Sequence, residues 1–244
     1  MNMSTIRKTI ICIAAAAAAL VAVSCQKDDT LAYNNMTMGN VVNGKFVSDQ
    51  GNTFNIVEQI CGGKLENEKR AMVLCDVLKK TAGADKEYDI RLTQFASVLV
   101  KDAVAIQNAS EGDIAVQDPI LIDQLWFSGG YINLLVKYYE KSGSDTKHFI
   151  NLVYEKNPEG KYILNFRHNA YGEVITSENQ SKMMLVGAYV SFPIKGVISE
   201  SEANLTLKWK WYEEDNIVGG ININKEKEFS HDLKYSKEGY EHTF

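Results

Sequence analysis

The chain is poor in the residues that break strands and in those that carry most catalysis. It holds 3 prolines, 4 histidines and 4 cysteines in 244 residues. The prolines stand at 119, 158 and 193, outside the alternating runs 131–139, 161–168 and 203–212, so nothing interrupts those runs as strands. Gly-x-Ser-x-Gly, His-Glu-x-x-His and a phosphate-cradling glycine loop are all missing, which removes three well-marked classes of enzyme site. No basic run is present and the formal net charge is −5, which argues against nucleic acid as a partner and against a polybasic grip on anionic lipid. With 31 acids in the chain, no carboxylate pair singles itself out as a glycosidase dyad. The longest apolar run, residues 10–23, is 14 residues, short of the roughly 20 that span a bilayer.

That short run is nevertheless informative. Arg7 and Lys8 precede it, and Ser24 and Cys25 follow it. A charged start, an apolar middle and a small residue before a cysteine build a bacterial lipoprotein signal peptide. On this reading residues 1–24 are removed, Cys25 carries lipid, and residues 25–37 form a polar tether. The box Ala22-Val23-Ser24-Cys25 is a relaxed version, without the usual leucine three residues before the cysteine. Lys27, Asp28 and Asp29 resemble the lysine-plus-acid signal that sends Bacteroidetes lipoproteins to the outer face of the outer membrane. Asp29-Thr30-Leu31 resembles the tripeptide that these bacteria O-glycosylate, which makes Thr30 a candidate acceptor. The expected address is therefore the outer membrane, lipid-anchored, at the cell surface. The signal takes away two basic residues and no acid, so the mature chain has 24 basic against 31 acidic residues, a net −7.

Cys12 leaves with the signal and Cys25 is acylated, which leaves Cys61 and Cys75. An oxidising compartment would preserve a bridge between them, and they flank a turn-like stretch beginning at Gly62-Gly63. Each also lies in an apolar, strand-like context, where a free buried thiol behaves as a small hydrophobe. Both readings stay open. No histidine lies between them, so they do not suggest zinc; no cofactor or metal is expected.

Beyond the tether the pattern is that of strands. In 203–212, Leu205, Leu207, Trp209 and Trp211 share one face while Thr206, Lys208 and Lys210 share the other. The same period of two appears in 131–139, in 161–168 (Tyr162, Leu164, Phe166) and in 188–195. One apolar and one wet face indicates antiparallel sheet packed on one side. Asn157-Pro158-Glu159-Gly160 has the proline and glycine that a type I turn prefers. With Ser142-Gly143-Ser144-Asp145 as a second turn, residues 131–168 read as a three-strand meander. The first half alternates less cleanly, and 93–107 fits either helix or strand. Residues 107–118 are polar and turn-rich, which places a boundary at 117–118.

Several segments together resemble the NigD-like lipoproteins of Bacteroidales. They are Tyr88-Asp89-Ile90-Arg91-Leu92, Asp118-Pro119-Ile120, Gly130-Tyr131-Ile132-Asn133, His148-Phe149-Ile150-Asn151-Leu152-Val153 and Phe166-Arg167-His168-Asn169-Ala170-Tyr171-Gly172. The resemblance covers nearly the whole mature chain. It implies an all-β protein: an OB-like barrel over 38–117, then an antiparallel β-sandwich over 118–244. It also implies an association with bacteriocin immunity for one member of the family, and it carries over no catalytic residue.

The richest cluster of functional side chains is Arg167, His168, Asn169 and Tyr171. His168 continues the apolar parity of 162, 164 and 166, so its ring is expected toward the core as a hydrogen-bonded structural histidine. The competing reading is a ligand contact at a sheet edge. His148 counts to a cross-strand position near His168, and the pair invites a metal only if a third ligand such as Glu155 or Glu173 joins it. Trp209 and Trp211 share the core face, whereas Trp126 stands near the boundary and is the tryptophan expected at the surface. The expected function is binding, without catalysis, of an envelope protein, peptide or glycan. The alternatives are a carbohydrate-binding accessory of a glycan-uptake system and an enzyme of unrecognised type.

Overall fold

The computed structural model describes residues 36–214, 221–237 and 240–243. Residues 1–24, expected to be a signal peptide, and Cys25, Lys27, Asp28, Asp29 and Thr30 lie outside the described residues. The protein is all-β. Its first five strands are β1 (Thr37–Val42), β2 (Lys45–Ser48), β3 (Thr53–Gln59), β4 (Arg70–Lys80) and β5 (Glu87–Val100). They pair in the order β1-β2-β3-β5-β4 and back to β1, antiparallel except for β3 with β5. The ring is therefore closed and has no free edge of its own. Its interior is filled by Phe46, Phe54, Val73, Val77, Ile90 and Leu92, all buried. Gly39 is required where β1 meets β2, because a Cβ there would stand 2.2 Å from the Val47 carbonyl oxygen.

Cys61 and Cys75 are both free thiols, so the disulfide considered above is not formed. Cys75 is buried in the ring core and Cys61 packs against the same core from the loop after β3. The free-thiol reading holds: each sulfur serves as apolar filling.

The ring is not a separate barrel, because β5 outruns it. The segment 93–107, undecided from sequence, is strand to Val100, and Val98–Val100 pairs in parallel with a strand of the second half. That half contains β6 (Val104–Ala105), β7 (Leu121–Ser128), β8 (Tyr131–Lys141), β9 (Phe149–Lys156), β10 (Tyr162–Asn169), β11 (Met183–Pro193), β12 (Glu202–Glu214), β13 (Ile221–Ser236) and β14 (Tyr240–Thr243). One layer runs β14-β7-β8-β11 and continues into β5; the other runs β13-β12-β10-β9-β6. Because β6 pairs with β9, the sandwich begins before residue 118. Most pairs are antiparallel, but β10–β12 and β6–β9 are parallel.

The core between the layers follows the predicted alternation. Tyr162, Leu164, Phe166 and His168 are buried on β10, while Ile163, Asn165 and Arg167 are half-buried. Leu205, Leu207, Trp209 and Trp211 line the same core from β12. Each fully buried aliphatic or aromatic chain contributes about 1.5–3 kcal/mol of transfer free energy. The turn at 157–160 forms as expected, with the Gly160 N–H donating to the Asn157 carbonyl at 2.9 Å.

The three-strand meander does not form. β8 pairs with β7 and β11, whereas β9 pairs with β10 and β6. The turn Ser142–Asp145 carries the chain from one layer to the other instead of folding a hairpin. Turn residues show where a chain bends and leave open which layer it joins.

Candidate functional site

Four of the five segments that carry the family resemblance contribute to two buried polar clusters. The first is built around His148 and His168. The β9–β10 register sets His168 opposite Ile150, so His148, two residues earlier, is its diagonal neighbour. His168 is 1 % exposed and His148 has a side chain equally hidden. His168 Nδ1 lies 3.1 Å from the Pro119 carbonyl oxygen, which can only accept, so this nitrogen carries the hydrogen. Its Nε2 is then a lone pair, and His148 Nδ1 donates to it at 3.0 Å. His148 Nε2 faces Glu173 Oε2 at 3.4 Å. Glu173 is held in turn by the Ser144 hydroxyl and, at 3.1 Å, by the Lys141 N–H. The Tyr138 ring packs on both imidazoles, with centroids 4.8 and 5.3 Å away.

Burial, and then the neighbouring His148, push the His168 imidazole down to about 4. The Ser144 hydroxyl, the Lys141 N–H and weaker partners hold the Glu173 carboxyl down at about 2. Asp118 completes the cluster: its N–H donates to the His168 carbonyl at 2.8 Å, and its Oδ2 accepts from the Ala170 N–H at 2.7 Å. The chain of bonds ties β9, β10, the approach to β7, the turn after β8 and the loop after β10. The hollow beside His168, bounded by Pro119, Tyr139 and Tyr212, has no room for a water-sized sphere.

The remaining candidate residues do not gather at this point. Arg167 leaves the opposite face of β10, and its Nη1 donates to Gln117 Oε1 at 2.5 Å. Asn169 Oδ1 accepts the Tyr171 N–H at 2.8 Å, which shapes the exit turn. Tyr171 sits at φ 49° in that turn, followed by Gly172 at φ 87°, and the residue is 61 % exposed. Trp126 does not stand at the surface: it is half-buried and packs edge-on to Tyr189 at 6.5 Å, beside Met38, Met72 and Val98. It fills the junction between ring and sandwich. Of the two candidate third ligands Glu173 does meet His148, but through a different ring nitrogen from the one facing His168, and Glu155, on β9, lies across from Ile163. Among the described residues no group of three histidine, cysteine or acidic side chains is arranged to hold a metal.

The second cluster was not anticipated from the sequence. Arg70, at the start of β4, donates from Nη1 to Asp49 Oδ1 at 2.8 Å and from Nη2 to Asp49 Oδ2 at 2.5 Å. The side chains are 1 % and 2 % exposed. Arg70 also donates to Ser191 Oγ and Asn133 Oδ1, both at 3.0 Å, and its guanidinium lies 4.1 Å over the Tyr131 ring. Ser128 donates to Asp49 Oδ2 at 2.5 Å. Gly129, at φ 58°, makes room for that carboxylate; a Cβ would stand 2.2 Å from Asp49 Oδ1. Asp49 and Arg70 belong to the ring, while Ser128, Tyr131, Asn133 and Ser191 belong to the sandwich. The signal available in sequence was Asn133, a polar residue inside an apolar run, but its partner lies 63 residues away.

The model of the NigD-like C-terminal beta sandwich domain matches residues 102–224, just over half of the chain. The chain belongs to the NigD-like family. Three solved structures share the fold. A protein from Parabacteroides distasonis named as toxin-related is 20 % identical, covers 83 % of this chain and 93 % of its own, and has a TM-score of 0.56. A NigD-like immunity protein from Bacteroides caccae is 15 % identical, covers 86 % and 96 %, and also has a TM-score of 0.56. A protein from Bacteroides fragilis named as a lipoprotein is 14 % identical, covers 83 % and 98 %, and has a TM-score of 0.55. At these identities the likeness is one of fold. A comparison with curated proteins found no match. Asp118-Pro119, His148 and His168 build one cluster of this NigD-like chain, and Tyr131 and Asn133 build the other. These five residues and Pro119 tie strands and loops together, whereas Tyr88–Leu92 lies in the ring and belongs to neither cluster.

Proposed function

We infer that this NigD-like chain is a lipid-anchored envelope protein that acts by binding, without catalysis, in an immunity-like or accessory role. The carrying observation is the leader, Arg7 and Lys8 through the apolar run to Cys25, on a chain of NigD-like fold. The Bacteroides fragilis relative named as a lipoprotein supports the anchor, and the Bacteroides caccae relative named as an immunity protein supports a proteinaceous partner. The resemblance of Lys27, Asp28 and Asp29 to a surface-export signal supports outward display. Glycan capture is the weaker reading, because no tryptophan offers an exposed flat ring for stacking on sugars and, among the candidate contacts, only Tyr171 does. Trp209 and Trp211 are buried and Trp126 is packed into the junction.

Two variants test the address. Cys25→Ala should abolish incorporation of a radiolabelled fatty acid. Replacing Lys27, Asp28 and Asp29 with alanine should retain the lipid and lose cleavage by protease added to intact cells. A wild-type chain that is unlabelled by fatty acid would end the anchor reading. One that is labelled but shielded on intact cells, and cleaved after lysis, would end outward display.

A further inference from the structure

Strand edges are the places where a β-protein recruits further chain, and most folds blunt them. This one blunts nearly all of its own. The ring is closed. β13, the outer strand of one layer, exposes Lys225, Glu226, Lys227 and Glu228. The edge of β9 is covered by β6 over two residues and by Lys101, whose Nζ donates to the Ile150 carbonyl at 3.1 Å and lies 3.4 Å over the Phe149 ring. β14 is four residues long.

β11 is the exception. It pairs with β8 along its whole length, from Met183 to Pro193, but with β5 only from Tyr189 to Ser191. Among the described residues, no strand pairs with the other side of 183–188. That segment, Met183-Met184-Leu185-Val186-Gly187-Ala188, has no charge and no proline. Met184 is 45 % and Leu185 40 % exposed. The Lys182 carbonyl accepts from Ser142 on the β8 side, and the Ser191 carbonyl accepts from Lys101 on the β5 side. Backbone groups alternate sides along a strand, so Met183, Leu185 and Gly187 turn their N–H and C=O groups to the open side.

We propose that the open edge of β11 pairs antiparallel with the same edge of a second copy of this chain, centred on Leu185. Two features of the segment favour a second copy. The absence of charge lets two identical edges meet without like-charge repulsion. The spacing is also self-complementary: with Leu185 facing Leu185 of the second copy, Met183 faces Gly187, and Met184 faces Val186. A large side chain then meets the bare backbone of Gly187 at both ends, where a Cβ would have only ordinary contacts at 3.8 Å or more. Three hydrogen-bonded residue pairs supply about six backbone bonds. An added strand of this length buries well under the roughly 800 Å² per partner of a standard interface. The pairing is therefore weak in dilute solution and is favoured where copies share a membrane; this last step rests on the lipid-anchored reading.

Oxidative cross-linking of the full-length chain in its own membranes tests the pairing. In an antiparallel hydrogen-bonded pair the Cα atoms stand about 5.5 Å apart, within the roughly 4.4–6.8 Å that a disulfide bridges. Leu185→Cys should yield at least tenfold more covalent dimer than wild type, whose free Cys61 sets the background. Met184→Cys is the control for register. Met184 is the more exposed residue, but its counterpart in the second copy lies on the diagonal, about 7–8 Å away, so it should cross-link poorly. Leu185→Lys should remove the dimer captured from wild type by a short amine-reactive reagent. Equal dimer from the Leu185 and Met184 variants would show collision alone and overturn the proposal. Cross-linking of Leu185→Cys to a different polypeptide would overturn it in favour of a foreign strand. Recovery of the chain in the soluble fraction would count against the anchor only. The same variants, oxidised as concentrated soluble protein, would still decide the pairing.

Discussion

Replacing Arg70 by methionine should be among the most damaging single changes in the molecule. Methionine keeps most of the aliphatic volume and removes the charge and all five N–H donors. Asp49, 2 % exposed, would keep the Ser128 hydroxyl and lose the guanidinium that meets both of its oxygens. Ser191 and Asn133 would lose a donor as well. Breaking a buried ion pair from one side costs about 3–5 kcal/mol, because the remaining charge stays buried without its partner. For a protein of this size each kcal/mol lowers Tm by about 2–4 °C, so the expected fall is on the order of 6–20 °C. Removing both charges together, Arg70→Met with Asp49→Leu, should recover much of the loss, since apolar replacements of similar volume are often neutral. Calorimetric melting of the two single variants and the double variant measures the coupling directly. Because the pair ties ring to sandwich, the single variants should also broaden or split the transition. A loss below about 1 kcal/mol, the range of exposed pairs, would mean that the buried pair does not hold ring and sandwich together.

Acid should weaken the first cluster. His168 titrates near 4 in the folded chain against 6.5 unfolded, so between these values the unfolded chain binds a proton that the folded chain refuses. Stability from this group is full above pH 6.5 and falls as pH drops toward 4, by about 3 kcal/mol at most. Glu173 adds a loss of the same sign between its ordinary 4.5 and about 2. Urea titrations at a series of pH values check this, and His168→Gln should flatten the slope between pH 6.5 and 4. The thiols give a third test. Burial pushes Cys75 up to about 11, so at pH 8 it should resist alkylation in the folded protein. Denatured but unreduced protein should label at both Cys61 and Cys75; protection of both would restore the bridge.

The strand faces of the sandwich were legible because alternation is local. Leu164 and Phe166, or Leu205 and Leu207, declare their face within a few residues, and the turn at 157–160 declares its type. His148 and His168 were legible as neighbours for the same reason: one hairpin sets their spacing. Glu173 could be named only by composition, alongside Glu155, since it arrives from a loop with no period. The meander failed because the partner of β8 is β11, whose pairing starts more than 40 residues after β8 ends, and no local pattern records that choice. Asp49 reads in sequence as an ordinary turn acid in Ser48-Asp49-Gln50-Gly51. Only the three-dimensional closeness of Arg70, Ser128 and Asn133 makes it a buried anion.

The buried cluster around His148 and His168 is structural and joins strands and loops of the sandwich, and His168→Ala is the variant that decides this. The substitution would leave the Pro119 carbonyl and the His148 Nδ1 hydrogen without a partner, at a cost of about 1–3 kcal/mol. Thermal melting beside a screen of divalent metals and glycans should then show a Tm lowered by about 2–12 °C, with no ligand lost. Unchanged melting together with loss of a metal or glycan that the wild type binds would contradict the account and make this cluster a binding site.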